Sequence, residues 1–286
     1  MCASCVAPTS GPPERYARSH DSHPPPYPTQ RLATLSDMTT HDSRTCVIFA
    51  AGEYYRETPF VPDGAFVIAA DGGLDHTRDL GIGIDVVVGD FDSLKGARPA
   101  DGGRTVALPA QKDDPDLLSA LKIGWAHGAR EFHVFGALGG RIDHTISNIQ
   151  LMALLAERGA SGYLHGDGTI ITAICDGTLS FPANDVKPGR MVSVFSHSDV
   201  STGVSEPGLK YELEHATMSN VRVNGVSNEF LDGAPARIEV EHGTLIVTFP
   251  AEAPLPQVTR LHDFEGDLGA LDTEVSSVLS ERCRRR

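Results

Sequence analysis

AFVIAADGGLDHTRDLGIGIDVVVGDFDS, residues 65–93, sets out two short apolar runs, each broken off by an acidic turn. The runs AFVIAA and DVVVG are continuous rather than alternating in polarity. That suits strands of a parallel sheet covered on both faces. The turns are Asp71-Gly72-Gly73 and Gly89-Asp90-Phe91-Asp92-Ser93. Carboxylates therefore stand at the carboxyl ends of strands, where open α/β sheets bind ligands.

The same alternation continues on either side. TCVIFAA (45–51), TVALP (105–109), EFHVFGA (131–137) and TIITAI (169–174) are further strand candidates. A helix is expected over Leu117–His127, with Asp114 and Pro115 at its N-cap and first turn. Another is expected over Ile142–Arg158, with Ile146, Ile149, Leu151, Ala153 and Leu154 on its apolar period. Residues 44–176 thus read as an α/β domain with βαβ crossovers. Beyond them MVSVFS (191–196), LKYEL (209–213), ARIEVE (236–241) and TLIVTF (244–249) are separated by turn-forming clusters. Residues 177–250 read as a small all-β sandwich or barrel. Residues 251–286 lose the strand pattern, and the basic Arg282–Arg286 end reads as a solvated terminus.

Residues 1–43 are Pro-rich and poor in aliphatic side chains, so a disordered extension is expected. Met38 lies just before the first strand and offers an alternative start. The five cysteines are scattered and odd in number, a reduced, cytoplasmic pattern. The Cys2/Cys5 pair lacks the second pair that a closed zinc site needs. A net charge of −14 argues against a nucleic-acid binder, and no apolar run has membrane-spanning length.

Two more acidic motifs follow in order: Lys112-Asp113-Asp114-Pro115-Asp116 and Gly139-Gly140-Arg141-Ile142-Asp143-His144. In an extended GDFDS segment Asp90 and Asp92 share a face, which is costly without a cation between them. Asp113 and Asp116 are three apart and can share a helix face, although the helix dipole alone favours acids there. Lys112 and Arg141 are candidate phosphate contacts. His144 reads first as a hydrogen-bonded helix-start residue, with a general base as the sharper alternative. Asn148 is one turn further on. Gly72 and Gly73 allow a close approach of backbone to phosphate or ribose. Hard oxygen ligands of this kind suit Mg²⁺, which in turn suits a nucleotide phosphate chain. The chain has neither the G-x-x-x-x-G-K-[ST] phosphate loop nor the G-x-G-x-x-G fingerprint.

Taken in order, DGG, GDFDS, KDxxD, GGRxDH with a following Asn, and a late Gly208-Leu209-Lys210-Tyr211 and Ser227-Asn228-Glu229 closely resemble the thiamine pyrophosphokinase family. The resemblance spans about Cys46 to Phe249. It implies a Rossmann-like α/β domain that binds ATP and Mg²⁺, and a C-terminal β domain that completes the thiamine site across a homodimer. It implies metal roles for Asp71, Asp90, Asp92, Asp113 and Asp116, with Asp71, Asp92, Asp116 and Arg141 in catalysis. Nucleotide or substrate contacts are implied for Gly72, Gly73, Lys112, Arg141, Asp143, Asn148, Ser227 and Asn228. Pro115 replaces the Thr common in the family's KDxTD motif, so one hydroxyl is missing there. The implied reaction is transfer of the pyrophosphoryl group of ATP to the thiamine hydroxyl. Two other readings share the site: pyrophosphorylation of another alcohol such as a hydroxymethyl-pterin, and a non-catalytic nucleotide or thiamine sensor.

Overall fold

The computed structural model describes residues 44–55, 58–91, 105–109, 112–187 and 189–274 of the chain. The expectations for residues 1–43, Asp92, Ser93 and Arg282–Arg286 lie outside these residues. The architecture is a sheet-dominated α/β structure.

The sheet grows from β1 (Thr45–Phe49), whose residues after Thr45 are buried. On one side β1 pairs in parallel with β2 (Phe66–Ala70), then come β3 (Val86–Gly89) and β4 (Thr105–Ala107). On the other side it pairs in parallel with β5 (Glu131–Phe135), followed by β6 (Ser161–Gly166). The order β6-β5-β1-β2-β3-β4 makes the chain reverse its direction of travel at β1. The connections carry helices α1 (Gly73–Leu80), α2 (Asp116–Ala126) and α3 (Ile142–Glu157). Every residue of β2 and β3 is buried, which is why their sequences run apolar without alternation.

Two local expectations are corrected, and one strand appears that the sequence did not announce. Asp114 does not cap α2: Pro115 holds the N-cap position in extended backbone, and the Asp114 carboxylate pairs instead with Lys122 at 2.5 Å. The buried face of α3 runs through Asn148, Leu151, Met152 and Leu155, and Ile146 is 55% exposed. Strand β6, with the sequence SGYLHG, has no β-branched residue to announce it. Its Gly162 is there for packing, because a Cβ would lie 2.5 Å from Met152 Sδ and 2.6 Å from Leu155 Cδ1.

Strand β7 (Thr169–Phe181) turns antiparallel against β6 and carries the chain out of the parallel region. The position 176/177 lies inside it. Its long partner is β12 (Ala236–Pro250), in which ARIEVE and TLIVTF run together across an irregularity between Val240 and Thr244. The remaining strands are β8 (Met191–Ser196), β9 (Val200–Val204), β10 (Ala216–Ser219) and β11 (Asn228–Glu229). LKYEL is not a strand. Leu209 makes one bridge to Phe230, and the backbone of Tyr211 is taken up by the Asn228 side chain.

The segment after residue 250 is also structured. β13 (Gln257–Arg260) pairs antiparallel with β7, contrary to the expected loss of strand pattern. Beyond it, Leu268 is buried in the same core as α2 and α3. Lys122 Nζ donates to Ala270 O at 2.9 Å, and Asp272 Oδ2 accepts from the Asp113 backbone N–H at 3.1 Å. Among the described residues no helix is long and apolar enough to cross a membrane.

One core feature makes stability depend on pH. His133 on β5 and His165 on β6 face each other with Nδ1 and Nε2 3.0 Å apart, and Glu131 lies against His133 Nε2. Burial, with the neighbouring His133, pushes His165 from 6.5 down to about 3. The unfolded chain therefore takes up this proton near neutrality and the folded chain does not. The stabilisation is complete above about pH 6.5 and is lost as pH falls towards the folded value. Between about pH 7 and pH 5 the loss from this group should be about 1–2 kcal/mol. Thermal melts of wild type and His165→Gln across that window test it, and an unchanged slope in the variant would refute the assignment.

Candidate active site

Three carboxylates are brought together from three separate stretches of chain. Asp71 follows β2 directly, is 7% exposed, and has left-handed backbone with φ 50°. Asp tolerates that conformation better than most residues. Its N–H donates to Val88 O at 2.8 Å, and its carbonyl accepts from Leu74 N at 3.2 Å, so the residue is tied to both β3 and α1. Asp90 follows β3. Gly89 beside it has φ 151°, and a Cβ there would stand 3.1 Å from both Cα and Cβ of Asp71. That glycine is what lets the end of β3 come so close to Asp71. Asp116 is the first residue of α2, with Lys112 Nζ 2.8 Å from its Oδ1.

One carboxylate oxygen from each of Asp71, Asp90 and Asp116 lies within 4.8 Å of the other two. Three negative groups at that spacing repel one another, and the lysine beside Asp116 offsets only part of that charge. A hard divalent cation such as Mg²⁺ fits both the charge and the all-oxygen donor set. The cluster sits at the carboxyl ends of β2 and β3, the rim of a parallel sheet where ligands bind.

The rest of the acidic motifs divide. Asp113 is exposed and is not gathered into the cluster, and its backbone is held by Asp272. The expected shared helix face with Asp116 does not form, because α2 begins only at Asp116. Asp92 lies outside the described residues. Extended alternation from Asp90 does not hold either, because Phe91 has φ 61° and turns inward to a buried position. Gly72 is the α1 N-cap in right-handed backbone. Gly73 is buried against the Phe49 carbonyl, so the absence of its side chain is explained by helix-on-strand packing.

At the start of α3, Arg141 grips Asp143 through two hydrogen bonds of 3.1 and 2.6 Å, both side chains well exposed. That pairing holds the Asp143 carboxyl down at about 2. His144 is exposed and donates its backbone N–H to Asp143. Asn148 is buried and donates to Ala137 O at 2.7 Å, pinning the Gly-rich loop after β5.

Ser227 is exposed, has φ 62°, and donates its N–H to Ser193 Oγ. Asn228 is buried, and protein groups engage its whole amide. Nδ2 donates to Glu206 Oε2 and Tyr211 O, while Oδ1 accepts from the N–H groups of Tyr211 and Glu229. Glu206, fully buried, was not singled out from the sequence. Nothing in VSEPG marks it, since its partner is 22 positions away. Burial pushes its carboxyl up. Asn228→Ala strips partners from a buried carboxyl group and a backbone turn together. The loss should be about 1–3 kcal/mol, read as a lower melting temperature. A melt matching wild type would show that the amide carries no load.

Two family models match the chain. Residues 60–163 match the model of the thiamin pyrophosphokinase catalytic domain, and residues 179–245 match that of the thiamin pyrophosphokinase vitamin B1 binding domain. Thiamin pyrophosphokinase 1 of Caenorhabditis elegans is 26% identical over 152 residues, an alignment covering 50% of this chain and 61% of the relative. Among solved structures, thiamine pyrophosphokinase from Bacillus subtilis superposes with a TM-score of 0.63 at 24% identity, covering 72% of this chain and 98% of that one. Thiamin pyrophosphokinase from Candida albicans gives a TM-score of 0.58 at 14% identity, covering 73% and 89%. These superpositions establish a common fold. The two model matches together span more than half of the sequence, and the chain belongs to the thiamin pyrophosphokinase family.

Proposed function

We propose that the chain transfers the diphosphoryl group of ATP to the hydroxyl of thiamine, giving thiamine diphosphate and AMP. The observation that carries this reading is the convergence of Asp71, Asp90 and Asp116 within 4.8 Å, in a chain that matches both domains of the family. In this reading Asp71, Asp90 and Asp116 hold Mg²⁺, with Asp92 as a further ligand and Asp113 at the margin. Mg²⁺, when bound, neutralises charge on the phosphate oxygens of ATP. Lys112 and Arg141 orient the phosphate chain, and Arg141 exchanges part of its grip on Asp143 for a phosphate oxygen. Gly72, Gly73 and Asn148 shape the cleft. Catalysis is mainly positioning and charge neutralisation, as in other phosphoryl transfers.

Residues 44–176 serve as a Rossmann-like nucleotide-binding domain and residues 177–250 as a β-sandwich or barrel that completes the thiamine site. Ser227 is exposed and available to substrate. Asn228 acts by holding the loop in place. We further place the active form as a cytoplasmic homodimer with shared sites. The test is an assay of ATP, Mg²⁺ and thiamine that reads AMP. Equal amounts of AMP and thiamine diphosphate are expected. AMP released only with another alcohol, such as a hydroxymethyl-pterin, would move the substrate assignment. Thiamine binding without AMP would make the chain a sensor.

A further inference from the structure

Three arginines come together in one cavity that shares no residue with the acidic cluster. Arg130, Arg158, Arg260 and His262 line one cavity of about 730 Å³ with Gly159, Leu261, Asp263 and Phe264. Arg130 immediately precedes β5, Arg158 follows α3, and Arg260 ends β13. The cavity therefore opens at the amino ends of the parallel strands, whereas Asp71 and Asp90 stand at the carboxyl ends. A strand of five residues separates the two rims by on the order of 15 Å.

The three guanidinium groups are partly spent on neutral acceptors. Arg130 donates to the carbonyls of Trp125 and Ala129, and stacks over the Trp125 ring at 3.8 Å. Arg158 donates to the carbonyls of Glu157 and Asp267. Arg260 donates to Ser161 Oγ. No carboxylate among the described residues forms an ion pair with any of them. Of the other described arginines, Arg78, Arg141, Arg190 and Arg237 have such a partner, and Arg44 and Arg222 have none among the described residues. Of the neighbouring carboxylates, Asp176 is directed to His262, its Oδ2 3.0 Å from Nε2, while His262 Nδ1 contacts the backbone carbonyl of Asp263. Arg260 is half-buried, and burial works against its charge. A partly desolvated cation without a counter-ion is costly, and a bound anion would relieve that cost.

We propose that this cavity is a second ligand site that binds a small molecule through a phosphate or diphosphate group, independently of the metal cluster. Planar guanidinium forks match phosphate oxygens in bidentate geometry. The carbonyl and hydroxyl contacts described above hold each fork in place before a ligand arrives, which lowers the ordering cost of binding. The Phe264 ring leaves one apolar wall for the body of the ligand.

The test uses the full chain in chelator-treated, metal-free buffer, titrated calorimetrically with inorganic pyrophosphate and, separately, with inorganic phosphate. One pyrophosphate per chain is expected, with affinity falling steeply as salt rises. Phosphate binding at the same site marks a general phosphate pocket, and pyrophosphate binding alone marks a diphosphate pocket. Arg260→Gln and Arg158→Gln should each weaken binding by about tenfold or more, a loss of one charged contact. Arg260→Lys, which keeps the charge and loses the fork, should fall between. Arg130→Gln covers the case in which a half-buried variant melts early, because Arg130 is exposed. Asp71→Asn should leave the affinity unchanged. Absence of binding to wild type, arginine variants that bind like wild type, or loss of binding in Asp71→Asn alone would each overturn the site.

Discussion

Asp71→Asn should lower AMP formation at limiting Mg²⁺ by about 100-fold, close to 2.7 kcal/mol at the transition state. The substitution keeps the shape of the side chain and removes its charge. Asn accepts left-handed backbone as readily as Asp, so φ 50° carries no new penalty and the fold should survive. The backbone ties to Val88 and Leu74 use main-chain atoms and are untouched. What disappears is one of three carboxylates within 4.8 Å. Asp113→Asn is the internal comparison, because that carboxylate is exposed and outside the cluster. It should change turnover by less than about threefold, within the range of surface substitutions. Equal losses in the two variants would mean that the cluster is not where the metal binds, and wild-type turnover in Asp71→Asn would remove the metal assignment altogether.

Gly73→Ala should be among the most damaging small substitutions in the described residues. In an ordinary helix the change from Gly to Ala stabilises by about 0.5–1 kcal/mol. Here the sign reverses. The new methyl would occupy the space of the Phe49 carbonyl oxygen and would also stand 3.1 Å from Ala50 N. Both are backbone atoms of the central strand and its exit, so no side-chain rotation relieves the clash. Either α1 lifts from the sheet or β1 bends. The cost should be about 3 kcal/mol, with a melting point lower by about 10 °C. Because Asp71 hands directly into α1, the Mg²⁺ response should weaken as well. A melting temperature within about 2 °C of wild type would mean that the helix has slack where packing leaves none.

The parallel half of the fold was legible because its strands are buried on both faces and therefore apolar throughout. Phe66–Ala70 and Val86–Gly89 announce themselves by composition alone. Strand β6 did not, because it has no β-branched residue and its Gly162 answers to Met152 and Leu155 on a helix that passes over it. β13 escaped notice for a different reason: QVTR is too short and too polar to signal a strand before β7 is there to pair with it. At the site, the acidic turns were visible in order, and the residues nearest the strand ends, Asp71 and Asp90, are gathered. Which member of KDDPD joins them was not visible. That depends on α2 starting at Asp116, on the Asp114 carboxylate pairing with Lys122 two helical turns on, and on the Asp113 backbone being held by Asp272 from 159 positions away. Gly73 was read as a phosphate approach, and its packing role needed the position of β1.

The residues matched by the two family models do not coincide with a unit that could be cut out and kept. The first match begins at residue 60, after β1 has ended, and the second begins at residue 179, near the end of β7. A fragment trimmed to the matched residues would lose the middle strand of the parallel sheet. β2 and β5, now joined through β1, would each present a long row of open hydrogen-bonding groups on an apolar surface. Losing residues 164–178 would also strip β12 of most of its antiparallel partner. Such a fragment is expected to aggregate when expressed. Dissection by homology would thus discard the pieces that keep the sheet edges paired, and workable truncations should start no later than Arg44 and retain the chain through Asp272.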